Sequence, residues 1–164
     1  MEKTIIAIDP GSRYWGVTIF KGRDIVLPMV KTFPTNGPLS HRLKRAGKAF
    51  LSLSDKYVPD ILVIEKPFYF WSRQSKYLDK IIEEIKLSAK KRGMKIYEYS
   101  PMTVKKVISN EENVDKNDIA TIICSIYPDL KMFLNQDKRS KEIYWSHIFG
   151  STGLGICYLM SRKN

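Results

Sequence analysis

The chain has 164 residues, of which 43% are apolar and 27% are charged. These are globular proportions, and they exclude a disordered, collagen-like or disulfide-scaffold protein. Lysine and arginine number 28 against 17 aspartate and glutamate residues, which gives a formal net charge of +11. This excess predicts a polyanionic partner such as nucleic acid, although a surface that is basic for solubility alone has the same composition.

The positions of the cysteines and the lengths of the apolar segments indicate in which cellular compartment the protein works. Cys124 and Cys157 both lie in apolar runs, and no cysteine or histidine has the spacing of a zinc site. The N-terminal apolar run is too short for a secretory signal. The longest apolar stretch falls short of the roughly 20 residues that span a bilayer. We therefore expect an intracellular protein with no membrane segment.

Three strands are predicted at the start of the chain, at residues 4–8, 15–20 and 25–31, because short β-branched runs alternate with turn residues. Close turns between them indicate an antiparallel meander. A helix follows, with Ser40 as its predicted N-cap, and ends before Val58.

The second half of the chain alternates strands and helices. Residues 61–64 are all apolar, which is typical of a strand buried on both faces. The remaining predicted elements are a helix over 75–92, a strand over 94–99, a helix from Ser100 and Pro101, a helix over 118–127 and a last helix over 144–160. This order predicts an α/β fold, a mixed sheet with helices on both faces.

Two acidic residues stand apart from the other fifteen because each ends an apolar strand. Asp9 closes the first strand and Glu65 closes the fourth. If the two strands are neighbours, their carboxylates meet at one edge of the sheet, where they favour Mg²⁺ or Mn²⁺ shared with a phosphate. Taken singly, each has an alternative: Asp9 caps its own turn, and Glu65 pairs with a lysine such as Lys66.

Other polar residues are candidates by position. His147 lies near the predicted start of the last helix. Lys105, Lys106 and Lys116 follow the fifth strand, and a lysine near a phosphate stabilises developing charge. In a chain this basic, solvent exposure is the default for any lysine.

An aromatic run at residues 68–71 is followed by Arg73. Aromatic side chains beside basic ones offer stacking surfaces for unpaired bases, and Phe68 and Tyr69 are the candidates, with core packing as the alternative. Candidate phosphate contacts on the first helix are Arg42, Lys44, Arg45 and Lys48.

Four segments, in order, resemble the RuvC family of Holliday-junction resolvases, which have the RNase H-like fold. They are IIAIDPGSRYWGV, ILVIEKPF, SPMTVKKVISNEENVDKNDI and HIFGSTGLGICYLM. The resemblance covers nearly the whole chain. It implies a single RNase H-like nuclease domain over residues 1–164, with a five-stranded mixed sheet whose first three strands are antiparallel.

The resemblance also implies roles for individual residues. Asp9, Glu65 and His147 match metal-ligand positions, and Lys116 matches a catalytic lysine. The position three residues after His147 is normally an aspartate, and here it is Gly150. The family pattern implies Mg²⁺, with Mn²⁺ as a substitute and two ions in an intact site. With Gly150, we expect one metal site to be weak or empty and cleavage to be impaired.

The implied activity is resolution of four-way DNA junctions by a homodimer, through paired symmetric nicks in recombination and repair. The implied dimer contact is the helix over 75–92, through Leu78, Ile82 and Ile85, and the implied location is cytoplasmic or nucleoid-associated. A branch-migration helicase is a further partner that the resemblance allows.

Two alternatives remain open: a catalytically silent junction-binding protein, and another RNase H-like nuclease that acts on linear or hybrid duplex. The expected DNA contacts are Phe68, Tyr69, Arg73, Lys105, Lys106, Arg42, Lys44 and Arg45.

Overall fold

The computed structural model describes residues 1–66, 73–111, 113–134 and 139–162. The strands are β1 (Thr4–Pro10), β2 (Tyr14–Lys21), β3 (Asp24–Thr32), β4 (Ile61–Glu65) and β5 (Lys95–Tyr99). The helices are α1 (Leu39–Tyr57), α2 (Arg73–Lys91), α3 (Pro101–Ser109), α4 (Lys116–Ile126) and α5 (Arg139–Ser161), with a short 3₁₀ helix, Pro128–Phe133, between α4 and α5.

The strands form one five-stranded mixed sheet in the order β3-β2-β1-β4-β5. β1 pairs antiparallel with β2, and β2 with β3, whereas β4 runs parallel to both β1 and β5. The predicted sheet and its antiparallel first three strands are therefore confirmed. Because Ile8 lies opposite Ile64 in the parallel pair, Asp9 and Glu65 occupy the next position on neighbouring strands.

Helices cover both faces of this sheet. On one face, Ile6, Ile8 and Ile64 pack in one core cluster with residues of α1 and α2. On the other, Ile5, Ala7 and Val63 pack with Leu154 and Tyr158 of α5. Since side chains alternate between the faces of a strand, the carboxylates at positions 9 and 65 both lie on the α5 face.

Helix α5 lies close against β2. A Cβ at Gly16 would overlap the backbone carbonyl of His147, so only glycine permits this approach. The Thr18 hydroxyl is hydrogen-bonded to Ser151 Oγ at 2.8 Å and to Thr152 Oγ1 at 3.0 Å, and all three residues are buried. These contacts fix α5 over the edge where β1 and β4 end.

Four helices begin earlier than predicted, α2 and α4 by two residues each. Ser40 lies within α1, whose N-cap is Pro38, because the Pro38 carbonyl accepts hydrogen bonds from the amides of His41 and Arg42. Helix α5 starts at Arg139, so His147 lies in its interior and not at its opening. The segment before Tyr144 is polar and lacks an apolar stripe, yet charged residues are good helix formers.

The predicted dimer contact on α2 needs correction. Ile82 and Ile85 are 2% and 0% exposed, and Leu78 packs partly buried against the same core. These side chains hold α2 on its own sheet, so Ile82 and Ile85 are not available to a second subunit. Within the described parts of the chain, no helix is both long enough and apolar enough to cross a bilayer.

Candidate active site

Two carboxylates form the centre of the site. The Asp9 side chain is 18% exposed, and Glu65 is partly buried beside it. Burial, with a smaller contribution from the negative charge of Asp9, raises the pKa of Glu65 from 4.5 to about 7, and the Lys116 ammonium opposes this shift. A cation bound between the two carboxylates would favour the ionised form of Glu65.

His147 adjoins this pair from α5. Its Nδ1 lies 3.3 Å from Asp9 Oδ2, and its ring centroid lies 5.8 Å from that of Tyr14. Its backbone carbonyl is the group packed over Gly16. The imidazole is thus held between the Asp9 carboxylate and the start of β2, and it engages one of the two carboxylate oxygens.

Gly150 lies one helical turn after His147 and faces the same carboxylate. A Cβ at this position would overlap Asp9 Oδ2 and lie 2.8 Å from Asp9 Cγ. The glycine therefore does not leave an empty ligand position, because the Asp9 carboxylate fills the space where a side chain at 150 would begin. No pattern in the sequence indicated this competition between residues 9 and 150.

Two lysines line a cavity of about 360 Å³ together with the carboxylates. Lys105 comes from α3, which begins where Ser100 Oγ accepts a hydrogen bond from the Thr103 amide. Lys116 opens α4, whose N-cap is Asp115. The structure thus brings all five predicted catalytic residues and one predicted DNA-binding lysine to one cavity, lined among others by Asp9, Glu65, Lys105, Lys116, His147 and Gly150.

The arginines of α1 lie beside the β1–β2 turn. The Arg42 guanidinium donates to the Ser12 carbonyl at 3.5 Å and lies 5.2 Å from the Tyr77 ring centroid. The Arg45 guanidinium donates to the Asn36 carbonyl at 2.7 Å. Both arginines line a small pocket with Gly11 and Ser12. They lie on the α1 side of the sheet, whereas the two carboxylates lie on the α5 side.

The other predicted DNA contacts are dispersed or not described. Lys44 lines a separate groove that also contains Asp55 and Glu84. Lys106 is exposed on α3 and does not line the cavity. Phe68 and Tyr69 lie outside the described residues, as does the side chain of Arg73, which begins α2.

The cavity also contains residues that sequence reasoning missed. Asn117, Phe133 and Leu134 line it together with Phe149. Phe133 belongs to the 3₁₀ helix, which was not predicted, so no pattern in the sequence indicated its position. One feature of the sequence could have indicated Asn117, namely its position next to Lys116, a predicted catalytic residue.

The donor set fits one hard cation. Carboxylate oxygens are the ligands that Mg²⁺ and Mn²⁺ prefer, and Asp9 and Glu65 present such oxygens at neighbouring strand ends. Among the side chains that the structure describes, no three from Asp, Glu, His and Cys are grouped closely enough to hold a metal ion. The two carboxylates fit a divalent cation that completes its shell with water or phosphate, and the role of His147 as a further ligand stays a prediction.

Comparison with known sequences identifies a family. The family model described as "Crossover junction endodeoxyribonuclease RuvC" matches residues 5–137. A RuvC from Endomicrobium trichonymphae is 32% identical over 126 residues, which cover 73% of this chain and 66% of that protein. A RuvC from Corynebacterium glutamicum is 30% identical over 129 residues, covering 74% of this chain and 58% of that protein. The matched part spans less than two thirds of both relatives.

Solved structures extend the likeness to α5, which lies beyond the end of the family match. The structure titled "T. thermophilus RuvC in complex with Holliday junction substrate" has a TM-score of 0.78 at 18% identity, with 98% of this chain and 95% of that chain covered. The yeast mitochondrial Holliday junction resolvase Ydc2 has a TM-score of 0.71 at 13% identity, with 94% and 77% covered. These identities establish the shared fold, and the family match over residues 5–137 shows that the chain belongs to the RuvC family of crossover junction endodeoxyribonucleases.

Proposed function

We propose that this chain binds four-way DNA junctions as a homodimer and that its cavity is a Mg²⁺-dependent site for phosphodiester hydrolysis. The observation that carries the proposal is the pairing of Asp9 and Glu65 at equivalent strand ends, with Lys116 close enough to affect Glu65. The net charge of +11 and the fold shared with a junction-bound RuvC support a DNA substrate. Cleavage would give paired symmetric nicks in recombination and repair.

The residues divide the chemistry between them. A Mg²⁺ ion held by Asp9 and Glu65 would polarise a phosphoryl oxygen and acidify a bound water. Glu65 must be ionised to hold the ion, and Lys116 favours that form. His147 engages Oδ2 of Asp9 and thereby orients the carboxylate, leaving Oδ1 for the ion. Lys105 and Lys116 offset the negative charge that develops on the phosphate.

Gly150 limits this site. The chain supplies two carboxylates and one imidazole, where the family pattern has a further aspartate, so a second dication would be poorly compensated. We therefore propose that cleavage is slow, or that junctions are bound without being cut. The overlap between a Cβ at 150 and the Asp9 carboxylate is the specific observation that favours the second candidate, a catalytically silent junction-binding protein.

The rest of the chain would serve binding. We propose that residues 1–164 act as one nuclease domain in the cytoplasm or at the nucleoid, with a branch-migration helicase as a further partner. Arg42 and Arg45 would hold phosphates near the turn that follows β1, Lys105 and Lys106 would do so from α3, and Lys44 from its separate groove. The loop with Phe68 and Tyr69, and Arg73 after it, would contact bases at the crossover.

The deciding experiment compares substrates and variants directly. Labelled four-way junction, linear duplex and RNA–DNA hybrid are incubated with the chain and with Glu65→Gln and Gly150→Asp variants, in Mg²⁺ or Mn²⁺. We expect tight junction binding and slow paired nicks that Glu65→Gln abolishes. Junction binding with no cut from any form would favour the silent binder. Preference for linear or hybrid duplex would favour another RNase H-like activity.

A further inference from the structure

The cavity has two unlike walls. The wall formed by the ends of β1 and β4 is acidic, with the two lysines beside it. The opposite wall, from α3, α4, α5 and the 3₁₀ helix, is apolar and includes Val104, Ile119, Phe133, Leu134 and Phe149. Ile119 and Phe149 belong to a buried core cluster against which Phe133 and Leu134 pack. The apolar wall is therefore the part of this cluster that reaches the cavity and is open to a ligand.

We infer that the apolar wall binds an unstacked nucleobase of the DNA strand whose phosphate lies at Asp9 and Glu65. This inference rests on the proposed function and adds a base-reading site to it. A nucleotide has the same polarity pattern as the cavity, because a charged phosphate is joined to a flat and largely apolar ring. The volume of about 360 Å³ lies within the range of small-ligand sites, roughly 300–1,000 Å³.

Phe133 provides the stacking surface. Its ring centroid lies 4.9 Å from that of Trp145, with an angle of 35° between the rings, and Trp145 in turn packs edge-on against Tyr144 at 4.7 Å. The Phe133 ring is thus braced from behind while it lines the cavity in front. A pre-positioned aromatic ring loses little conformational entropy when a base stacks on it.

Asn117 provides the polar contact. It lines the cavity immediately after Lys116, and its side-chain amide makes no hydrogen bond to any residue that the structure describes. An amide carries both donors and an acceptor, and asparagine pairs with the edge of adenine through two hydrogen bonds. Adjacent positions on α4 thus face the acidic pair and the proposed base site.

An abasic scan tests the inference on the intact chain. A labelled four-way junction carrying one abasic nucleotide is titrated in EDTA, which prevents cleavage, and the abasic position is moved stepwise along the strands near the crossover. We expect one position to weaken binding by about tenfold. Phe133→Leu and Asn117→Ala should weaken binding of the complete junction. In these variants, removing the base at the sensitive position should weaken binding no further. Met132→Leu and Thr121→Ala, which change neighbouring residues outside the cavity lining, should retain the abasic penalty, which is the loss of affinity caused by the missing base.

A second measurement does not depend on junction binding. Amide NMR spectra are recorded with deoxyadenosine monophosphate and with 2-deoxyribose 5-phosphate, which lacks the base. The nucleotide should shift the signals of Asn117, Phe133 and Leu134, and the sugar phosphate should not. An unchanged abasic penalty in both cavity variants, or equal spectra with the two ligands, overturns the base site. Preference for linear duplex overturns the junction function alone, because the NMR comparison still decides the base site.

Discussion

Gly150 and Asp9 compete for one volume, and their competition determines how the site tolerates substitution. Alanine in a helix interior is normally about 1 kcal/mol more favourable than glycine. At position 150 its Cβ would overlap the Asp9 carboxylate, and overpacking of this kind costs about 1–3 kcal/mol. We expect Gly150→Ala to lower the free energy of unfolding, measured by urea denaturation, and to displace Asp9 from His147.

The same change should have the opposite effect once the carboxylate is removed. In an Asp9→Ala background, we expect Gly150→Ala to be neutral or mildly stabilising, with a coupling energy of at least about 1 kcal/mol between the two positions. Neutral or stabilising effects in both backgrounds would show that Asp9 turns away freely and that residue 150 can accept an aspartate, whereas equal destabilisation would show that Asp9 is not the group that opposes a side chain at 150.

Glu65 should make the stability of the metal-free protein depend on pH. Its pKa is raised on folding from 4.5 to about 7, chiefly by burial, so the folded state binds this proton more tightly than the unfolded state. The stability is therefore full below pH 4.5 and falls as the pH rises through 7, by about 3 kcal/mol at most. Urea unfolding in EDTA at pH 5 and pH 8 should show this loss for the parent but not for Glu65→Gln.

Glu83→Gln, on an exposed position of α2, is the matched control and should keep the parental loss. If the free energy of unfolding changed equally with pH in the parent and in Glu65→Gln, ionisation of Glu65 would not destabilise the folded protein, and its pKa would not be raised by folding. At pH 8, Mg²⁺ should stabilise the parent more than it stabilises Glu65→Gln, since an ion bound only to the folded state raises its stability.

At the scale of elements, the contact between α5 and β2 determines where His147 lies. A Cβ at Gly155 would overlap the ring of Phe20, which is fully buried and has no space to move. At Gly153 a Cβ would instead meet the terminal methyl groups of Val104 and Ile108 at 3.1 and 3.2 Å, and flexible side-chain ends yield more readily. We expect Gly155→Ala to destabilise the protein by about 1–3 kcal/mol and Gly153→Ala to be nearly neutral, as measured by urea denaturation. Equal destabilisation by the two variants would show that α5 moves as a whole to accommodate the added methyl group.

The sequence predicted the elements whose patterns are strong. β1 and β4 are short apolar runs closed by an acid. Their adjacency was only a condition of the predicted site, and it is the structure that pairs the two strands in parallel and makes Asp9 and Glu65 neighbours. The start of α5 was missed because its polar first turns carry no apolar stripe. The role of Gly150 was not predictable either, because it depends on the side-chain position of Asp9, a residue distant in sequence.

At the scale of the whole molecule, the basic charge is distributed unevenly with respect to the site. Arg42 and Arg45 line a small pocket with Gly11 and Ser12, and Lys105 and Lys116 line the cavity itself. Lys44 opens onto a separate groove that also contains Asp55 and Glu84. The total of +11 therefore overstates the number of cations that a DNA strand at the cavity would meet.

The salt dependence of junction binding measures that number. The logarithm of the affinity falls with the logarithm of the salt concentration, with a slope that reflects the phosphates neutralised. We expect Arg42→Gln to reduce the magnitude of this slope by about 1, because its guanidinium, at the turn that follows β1, would contact a phosphate. Lys56→Gln, in the exposed last turn of the same helix and outside the proposed DNA contacts, should leave the slope unchanged. Fluorescence anisotropy across a salt series measures both variants. Equal reductions would place DNA along the whole of α1, so that the path of the junction would extend well beyond the acidic edge.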